Sequence, residues 1–334
     1  PGVKIKFESG TGLNFNDQEG ALIAEGTEDK PITFTGTSEQ PGWWEGISIT
    51  NSTNPNNILD HVIVEYGGKN VPGNVMIGSS MSLYTSSIEI TNSKLRNSKN
   101  YGLYVKSGGS LTGFTDNTIT NNDRPVHVNS TQVHNLDTGT SYTGNEDDIV
   151  YVDGSSELKS DKLDSEDLIW KDLGLPYQIQ HSSNEQMIIW DINLTINPGV
   201  KIKFEAGGGI QLISQQGALI ADGNADNKIL FTATDPQPGW WDGIWIKDSS
   251  NLNNKLDNVI VEYGGNEDVN RYSSPANVIV GSGASSDSSS IDIINSTLSY
   301  SDSYGLYVFG NGEVNDDWET ANEFENNADG KSNI

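Results

Sequence analysis

The stretch SKLRNSKNYGLYV at residues 93–105 is answered by NTITNNDRPVHV at 117–128, about 24 residues on, a spacing that suits one turn of a solenoid. Both stretches alternate apolar and polar residues, with Leu103 and Val105 in the first and Val126 and Val128 in the second. Period two means strands, and β-branched residues dominate them. The separators are Asn, Ser, Asp and Gly, which tolerate left-handed backbone and tight corners. Val3-Ile5-Phe7, Ile32-Phe34, Ile47-Ile49, Val62-Val64-Tyr66 and Ile88-Ile90 extend the same texture along the chain. Helical spacing is nearly absent, and 155–174 is the one weak exception. Short strands with no helices between them, and without the paired Asn-Gly turns of hairpins, predict a parallel β-helix. Its stacked coils satisfy one another's backbone groups around a narrow apolar tube, which suits a hydrophobic content of only 34%.

A longer period contains the shorter one. Residues 1–68 lie on 198–265 without a gap, and roughly 40 of the pairs are identical, far more than shared composition gives. PGVKIKFE recurs verbatim at 1–8 and 198–205, QPGWWEGI (40–47) returns as QPGWWDGI (237–244), and LDHVIVEYGG (59–68) as LDNVIVEYGG (256–265). The copies part at one loop, KNVPGNVMIG against NEDVNRYSSPANVIVG, and rejoin at 86–105 and 289–308. The duplication predicts a first module over 1–145 and a second over 146–334 that begins with a connecting segment, 146–197. MIIWDINLTIN (187–197) leads a strand into the second copy, and Pro1 has no such lead-in. The sequence therefore reads as an excerpt, with further domains of the same polypeptide expected on either side.

The words LTINPGVKIKFE, GALIADG, ILFTAT, GWWDGIWI and LDNVIVEYGG resemble the right-handed parallel β-helix modules of large bacterial and archaeal secreted or cell-surface proteins, grouped with the pectin-lyase-like fold. The resemblance covers nearly the whole chain. It implies an architecture rather than an activity, since such modules serve adhesins, surface-layer components and polysaccharide-active enzymes alike. The expected class is all-β, a right-handed parallel β-helix solenoid, internally duplicated, with an extracellular or cell-surface location.

Charge narrows the partners. With 46 Asp plus Glu against 19 Lys plus Arg, the net charge is -27, and such a surface repels nucleic acid and anionic lipid. Neutral polysaccharide or a cell-surface glycan remains compatible. No cysteine is present, so stability rests on packing and hydrogen bonds rather than disulfides. No apolar run approaches the ~18–20 residues needed to cross a bilayer, so no membrane insertion is expected within this segment.

The tryptophan boxes supply the first site candidates. If Ile47 and Ile49 face the tube, strict alternation sends Trp43 inward and Trp44 outward, and likewise Trp240 inward and Trp241 outward. Trp245, in place of Ser48, then shares the outer face with Trp241, about 13 Å away. Exposed indoles at such spacing stack on the apolar side of sugar rings. The alternative is that a loop covers them, with Tyr272 of the 266–276 insert packed against them. Trp44, Trp241, Trp245 and Tyr272 are therefore the candidate ligand-binding residues.

Catalytic constellations are thin. Glu65 and Glu262, Asp60 and Asp257, and Lys4 and Lys6 with Lys201 and Lys203 occur in both copies, which favours a role in the fold. His61 becomes Asn258, His127 and His134 lack clear counterparts, and Arg124 with Lys99 near Tyr101 forms one small basic spot. The acidic loops 144–154, 266–270 and 313–319 carry oxygen ligands of the kind calcium takes, with Asp147, Asp148, Asp316 and Asp317 the candidates for a structural site. No cofactor is required. The leading expectation is a noncatalytic module for adhesion, structural display or glycan contact. The rival is a secreted polysaccharide lyase or glycoside hydrolase acting along an outer face.

Overall fold

The computed structural model describes residues 1–79, 84–155, 157–159, 167–181, 186–266, 275–283 and 287–334. Among these residues strand follows strand, interrupted by a 3-10 segment at Ser130–Asn135 and one helical turn at Trp318–Ala321. Where 155–174 left room for a helix, the described part forms the strands Leu158–Lys159 and Asp167–Trp170. The chain divides into two compact units, Pro1–Tyr151 and Val152–Ile334.

Each unit is a parallel β-helix with three walls. In the first unit, the first wall stacks Lys4–Phe7, Ile32–Gly36, Val62–Glu65, Lys94–Arg96 and Thr118–Thr120. The second wall stacks Leu13–Phe15, Ile47–Ile49, Gly73–Ile77, Tyr101–Val105 and Arg124–Asn129, and the third runs from Ile23–Glu25 through Ile58–Asp60 and Ser86–Thr91 to Gly109–Thr115. The second unit repeats the plan. Its first wall includes Tyr177–Gln180, Lys201–Phe204, Ile229–Ala233 and Val259–Glu262. Its second includes Gln186–Trp190, Gly209–Leu212, Gly243–Ile246, Ala276–Val280 and Tyr304–Val308, and its third includes Asn193–Ile196, Ala218–Asp222 and Lys255–Asp257. Register is kept from coil to coil, so Ile47 lies opposite Val75 and Val75 opposite Leu103. That column is sealed, with Ile47, Val75 and Leu103 each 0% exposed, and each such side chain contributes about 1.5–3 kcal/mol.

The corners explain the polar words of the sequence. Five of the turns from the third wall to the first use one residue in left-handed conformation: His61 (φ 51), Asn92 (φ 50), Asp116 (φ 56), Asn258 (φ 53) and Asn295 (φ 51). Asn, Asp and His are the non-glycine residues that accept that geometry best. The exchange of His61 for Asn258 therefore preserves a bend.

At the turn from the first wall to the second, buried asparagines pair the backbone. Asn122 Oδ1 accepts from the Ser98 amide at 2.9 Å, while its Nδ2 donates to the Leu95 carbonyl at 3.0 Å. In the second unit Asn277, fully buried, accepts from the Gly264 amide and donates to the Ser299 carbonyl, both at 2.8 Å. Asn277→Ala would strand both groups inside the corner. Calorimetry is expected to show a loss of about 1–3 kcal/mol, and a loss of nothing would mean the corner is hydrated.

Candidate functional site on the second wall

The structure reverses the expected facing of both tryptophan pairs. Trp44 and Trp241 are 0% exposed. Trp44 stacks on Phe7 at 4.3 Å and donates Nε1 to the Glu65 carbonyl at 2.8 Å, and Trp241 repeats this with Phe204 at 4.3 Å and the Glu262 carbonyl at 2.8 Å. Trp43 and Trp240 are the half-buried members, held by Nε1 donation to Thr37 and Thr234, each at 3.0 Å. The cause is local. Gly46 (φ 107) and Gly243 (φ 97) have left-handed backbone between the indoles and the isoleucines, so the alternation of an extended strand does not carry across them.

Trp245 does occupy the outer side of the second wall, but it is only 8% exposed. It packs with Ala276 and Ile279, with Tyr304, Tyr307 and Phe309 leaning on the group, and Nε1 donates to the Gly281 carbonyl at 2.9 Å. Tyr272 lies outside the described residues.

The outer aromatic surface is instead built by a word common to both copies, YGLYV at 101–105 and 304–308. A Cβ on Gly102 would come within 2.4 Å of Ile119, and one on Gly305 within 2.7 Å of Phe324, so these glycines face the packed interior. Both tyrosines of each word then fall on the outer side, with ring centres 5.2 Å apart for Tyr101 and Tyr104 and 5.8 Å for Tyr304 and Tyr307. Outward residues line up across the coils at the ~4.8 Å strand spacing: Ser48, Met76, Tyr104 and His127 in the first unit, and Gln211, Trp245, Ile279 and Tyr307 in the second, of which Tyr104, Gln211 and Tyr307 are partly exposed and the others buried. His127 stacks flat on Tyr104 at 4.2 Å. The signal was in the sequence, but an apolar-looking word invites a core reading unless the inward glycine is noticed.

Beside this ladder in the first unit lies the basic spot. The Arg124 guanidinium sits 5.5 Å over Tyr101 and 4.9 Å over Tyr151, and Nη1 donates to the Tyr101 hydroxyl at 3.3 Å. Burial pushes the Tyr101 phenol up, against the pull of Arg124. The Tyr151 hydroxyl donates to Asp147, and burial together with that carboxylate pushes its phenol up as well. Lys99 does not join them. It lines a separate recess of ≈ 470 Å³ with Pro41, Asp123 and Glu146. His134 lies in the 3-10 segment.

Three of the calcium candidates, Asp147, Asp148 and Asp317, accept hydrogen bonds from nearby donors. Asp148 accepts from the Gly144 and Asn145 amides at 3.0 and 2.9 Å, and these donors outweigh burial to hold its carboxyl below the usual range. Asp317 accepts from Asn315 Nδ2 at 2.8 Å, and Asp316 is exposed. Among the described residues no group of three or more His, Asp or Glu is placed to hold a metal ion. The 266–270 loop falls outside them from 267 onward. The duplicated acids serve corners and ion pairs: Asp60 accepts from Thr91 and Asn92, Asp257 from Asn295, and Glu65 pairs with Arg96 at 2.8 Å.

One acid stands out. Asp242, which replaces Glu45, is 2% exposed. Gln186 donates to its Oδ2 at 2.9 Å, reaching across Gly209 on the coil between, while Oδ1 has no hydrogen-bond donor among the described residues. Burial pushes its carboxyl up to about 7, despite help from Gln186 and Asn266. No helix among the described residues is long and apolar enough to cross a membrane. Comparison with known proteins found no matching family model, no matching curated protein and no matching solved structure.

Proposed function

We propose that this chain is a noncatalytic β-helical module of an extracellular or cell-surface protein, and that the outer side of its second wall contacts neutral glycan. The observation behind this reading is the recurrence of a partly exposed outward tyrosine, Tyr104 and Tyr307, at the same place in both units. Core packing does not require it, because the inward positions of those strands are filled by Leu103, Val105, Leu306 and Val308. The partly exposed rings of Tyr104 and Tyr307 suit stacking on the apolar side of a sugar ring. A surface of net charge -27 favours an uncharged polymer over a polyanion.

Affinity electrophoresis through gels containing neutral polysaccharides tests this. The protein is expected to be retarded in at least one gel, and Tyr104→Ala with Tyr307→Ala to weaken binding about tenfold per ring, near 1.4 kcal/mol each. Trp43→Ala, on a different corner, should leave retardation unchanged. Release of reducing or unsaturated ends from the bound polymer would replace this reading with an enzymatic one, and retardation indifferent to both tyrosines would remove the second wall from it.

A further inference from the structure

The word VIVEY occurs in both units, as Val62–Glu65 followed by Tyr66 and as Val259–Glu262 followed by Tyr263. Both tyrosines turn the corner from the first wall to the second in left-handed conformation, at φ 66 and φ 64. The next coil treats the two copies differently. In the first unit Arg96 lies opposite Glu65 and donates Nε and Nη2 to its Oε2, each at 2.8 Å. That carboxylate is covered, with Glu65 only 6% exposed. Burial and Glu65 push the Tyr66 phenol up, and Arg96 pulls against them. In the second unit Ser299 stands opposite Glu262, which is partly exposed and accepts from the Thr232 hydroxyl at 2.8 Å. Among the described residues no cation pairs with Glu262. Burial and that carboxylate push the Tyr263 phenol up.

The exchange extends along the corner. Strand for strand, Lys94, Arg96 and Lys99 of the first unit become Thr297, Ser299 and Asp302, while Thr118 and Thr120 on the following coil become Glu323 and Glu325. Lys99 and Asp302 hold the same place: a Cβ on Gly42 would meet the Lys99 side chain at 2.7 Å, and one on Gly239 would meet Asp302 at 3.0 Å. The corner residue changes too. Asn97 (φ 56), Asn121 (φ 56) and Asn326 (φ 53) make the bend with a residue that suits it, whereas Tyr300 (φ 54) makes it with a bulky one. The core beneath does not require that ring, because Leu298 fills the inward position at 0% exposed. Tyr300 is instead 37% exposed and stacks on Tyr263 with ring centres 5.2 Å apart. A strained residue kept where packing does not need it points to a binding surface.

We propose that the corner formed by Glu262, Tyr263 and Tyr300 is a docking site for an arginine side chain of a basic partner polypeptide. Its guanidinium takes at Glu262 the place that Arg96 takes at Glu65, and its flat face has the exposed Tyr300 ring beside it. Arginine fits better than lysine, since a planar fork pairs with a carboxylate and stacks on an aromatic ring at once. Asp302, Glu323 and Glu325 around the corner favour a segment carrying several cations over a single free amino acid. The first unit fills the same place from its own chain, so one site is expected per molecule. This inference does not rest on glycan binding at the second wall.

A labelled peptide of alternating arginine and glycine, titrated with the full chain at physiological ionic strength and followed by fluorescence anisotropy, tests this. Ser299→Arg supplies the guanidinium from within, as Arg96 does, and is expected to weaken binding about tenfold, as is Glu262→Gln. Tyr300→Asn places at the corner the residue that three other coils use and should weaken binding about threefold. Asp226→Asn makes the same charge change as Ser299→Arg at an exposed position on the turn from the third wall to the first, and should alter binding less than about twofold. The lysine version of the peptide should bind more weakly. Absence of binding, or equal losses for Ser299→Arg and Asp226→Asn, overturns the proposal, the latter by assigning the affinity to overall charge. So does free arginine that binds as tightly as the peptide. If Ser299→Arg does not fold, Glu262→Gln and Tyr300→Asn decide, and binding indifferent to both overturns the proposal as well.

Discussion

Trp241→Ala is expected to cost the second unit ~3–5 kcal/mol, read from the shift of its urea midpoint at constant slope. The indole is completely buried, lies flat on Phe204 at 4.3 Å and satisfies the Glu262 carbonyl. Truncation therefore opens a large void and leaves a carbonyl unpaired. Trp44→Ala repeats the change against Phe7, which is itself only half-buried. The loss there should be smaller because that site relaxes more easily. Trp240→Ala removes a half-buried ring and one bond to Thr234, for a cost of about 1 kcal/mol. Equal losses for Trp240 and Trp241 would contradict the facing described above.

The second large effect concerns pH. Asp242 ionises near 4 in an unfolded chain and at about 7 in the folded one, because burial disfavours its charged form. Between those values the folded state holds more protons than the unfolded state, so stability falls as pH rises through this window. Above pH 7 the whole penalty is present, on the order of 4 kcal/mol at ~1.4 kcal/mol per pH unit. Asp242→Asn keeps an acceptor for Gln186 and removes the charge. It should raise the stability of the second unit at pH 8 by an amount of that order and leave it unchanged at pH 4. Thermal unfolding across that range checks the sign, and a variant less stable than the parent at pH 8 would mean the carboxylate is compensated by a cation.

Which parts of this were legible follows from what period and spacing encode. Val62 and Val64, or Ile47 and Ile49, alternate inside extended strands, and there the inward positions hold. The duplication carried over as well, since coil stacking is repeated in register in both units. The tryptophan box fails because one glycine with φ near 100 intervenes, and sequence spacing does not record a change of backbone hand. The asparagine corners were visible as NS and NN words, but which carbonyl each one bonds depends on the neighbouring coil. Asp242 was invisible for a similar reason: its burial comes from residues far off in the chain, Gln186 among them.

Hydroxyl-radical footprinting with and without a retained neutral polysaccharide tests the account most directly. Oxidation is predicted at Trp43, Trp240, Tyr104 and Tyr307 in the free protein and none at Trp44 or Trp241, with polysaccharide shielding Tyr104 and Tyr307 alone. Shielding on the first or third wall instead, or ready oxidation of Trp241, would contradict it.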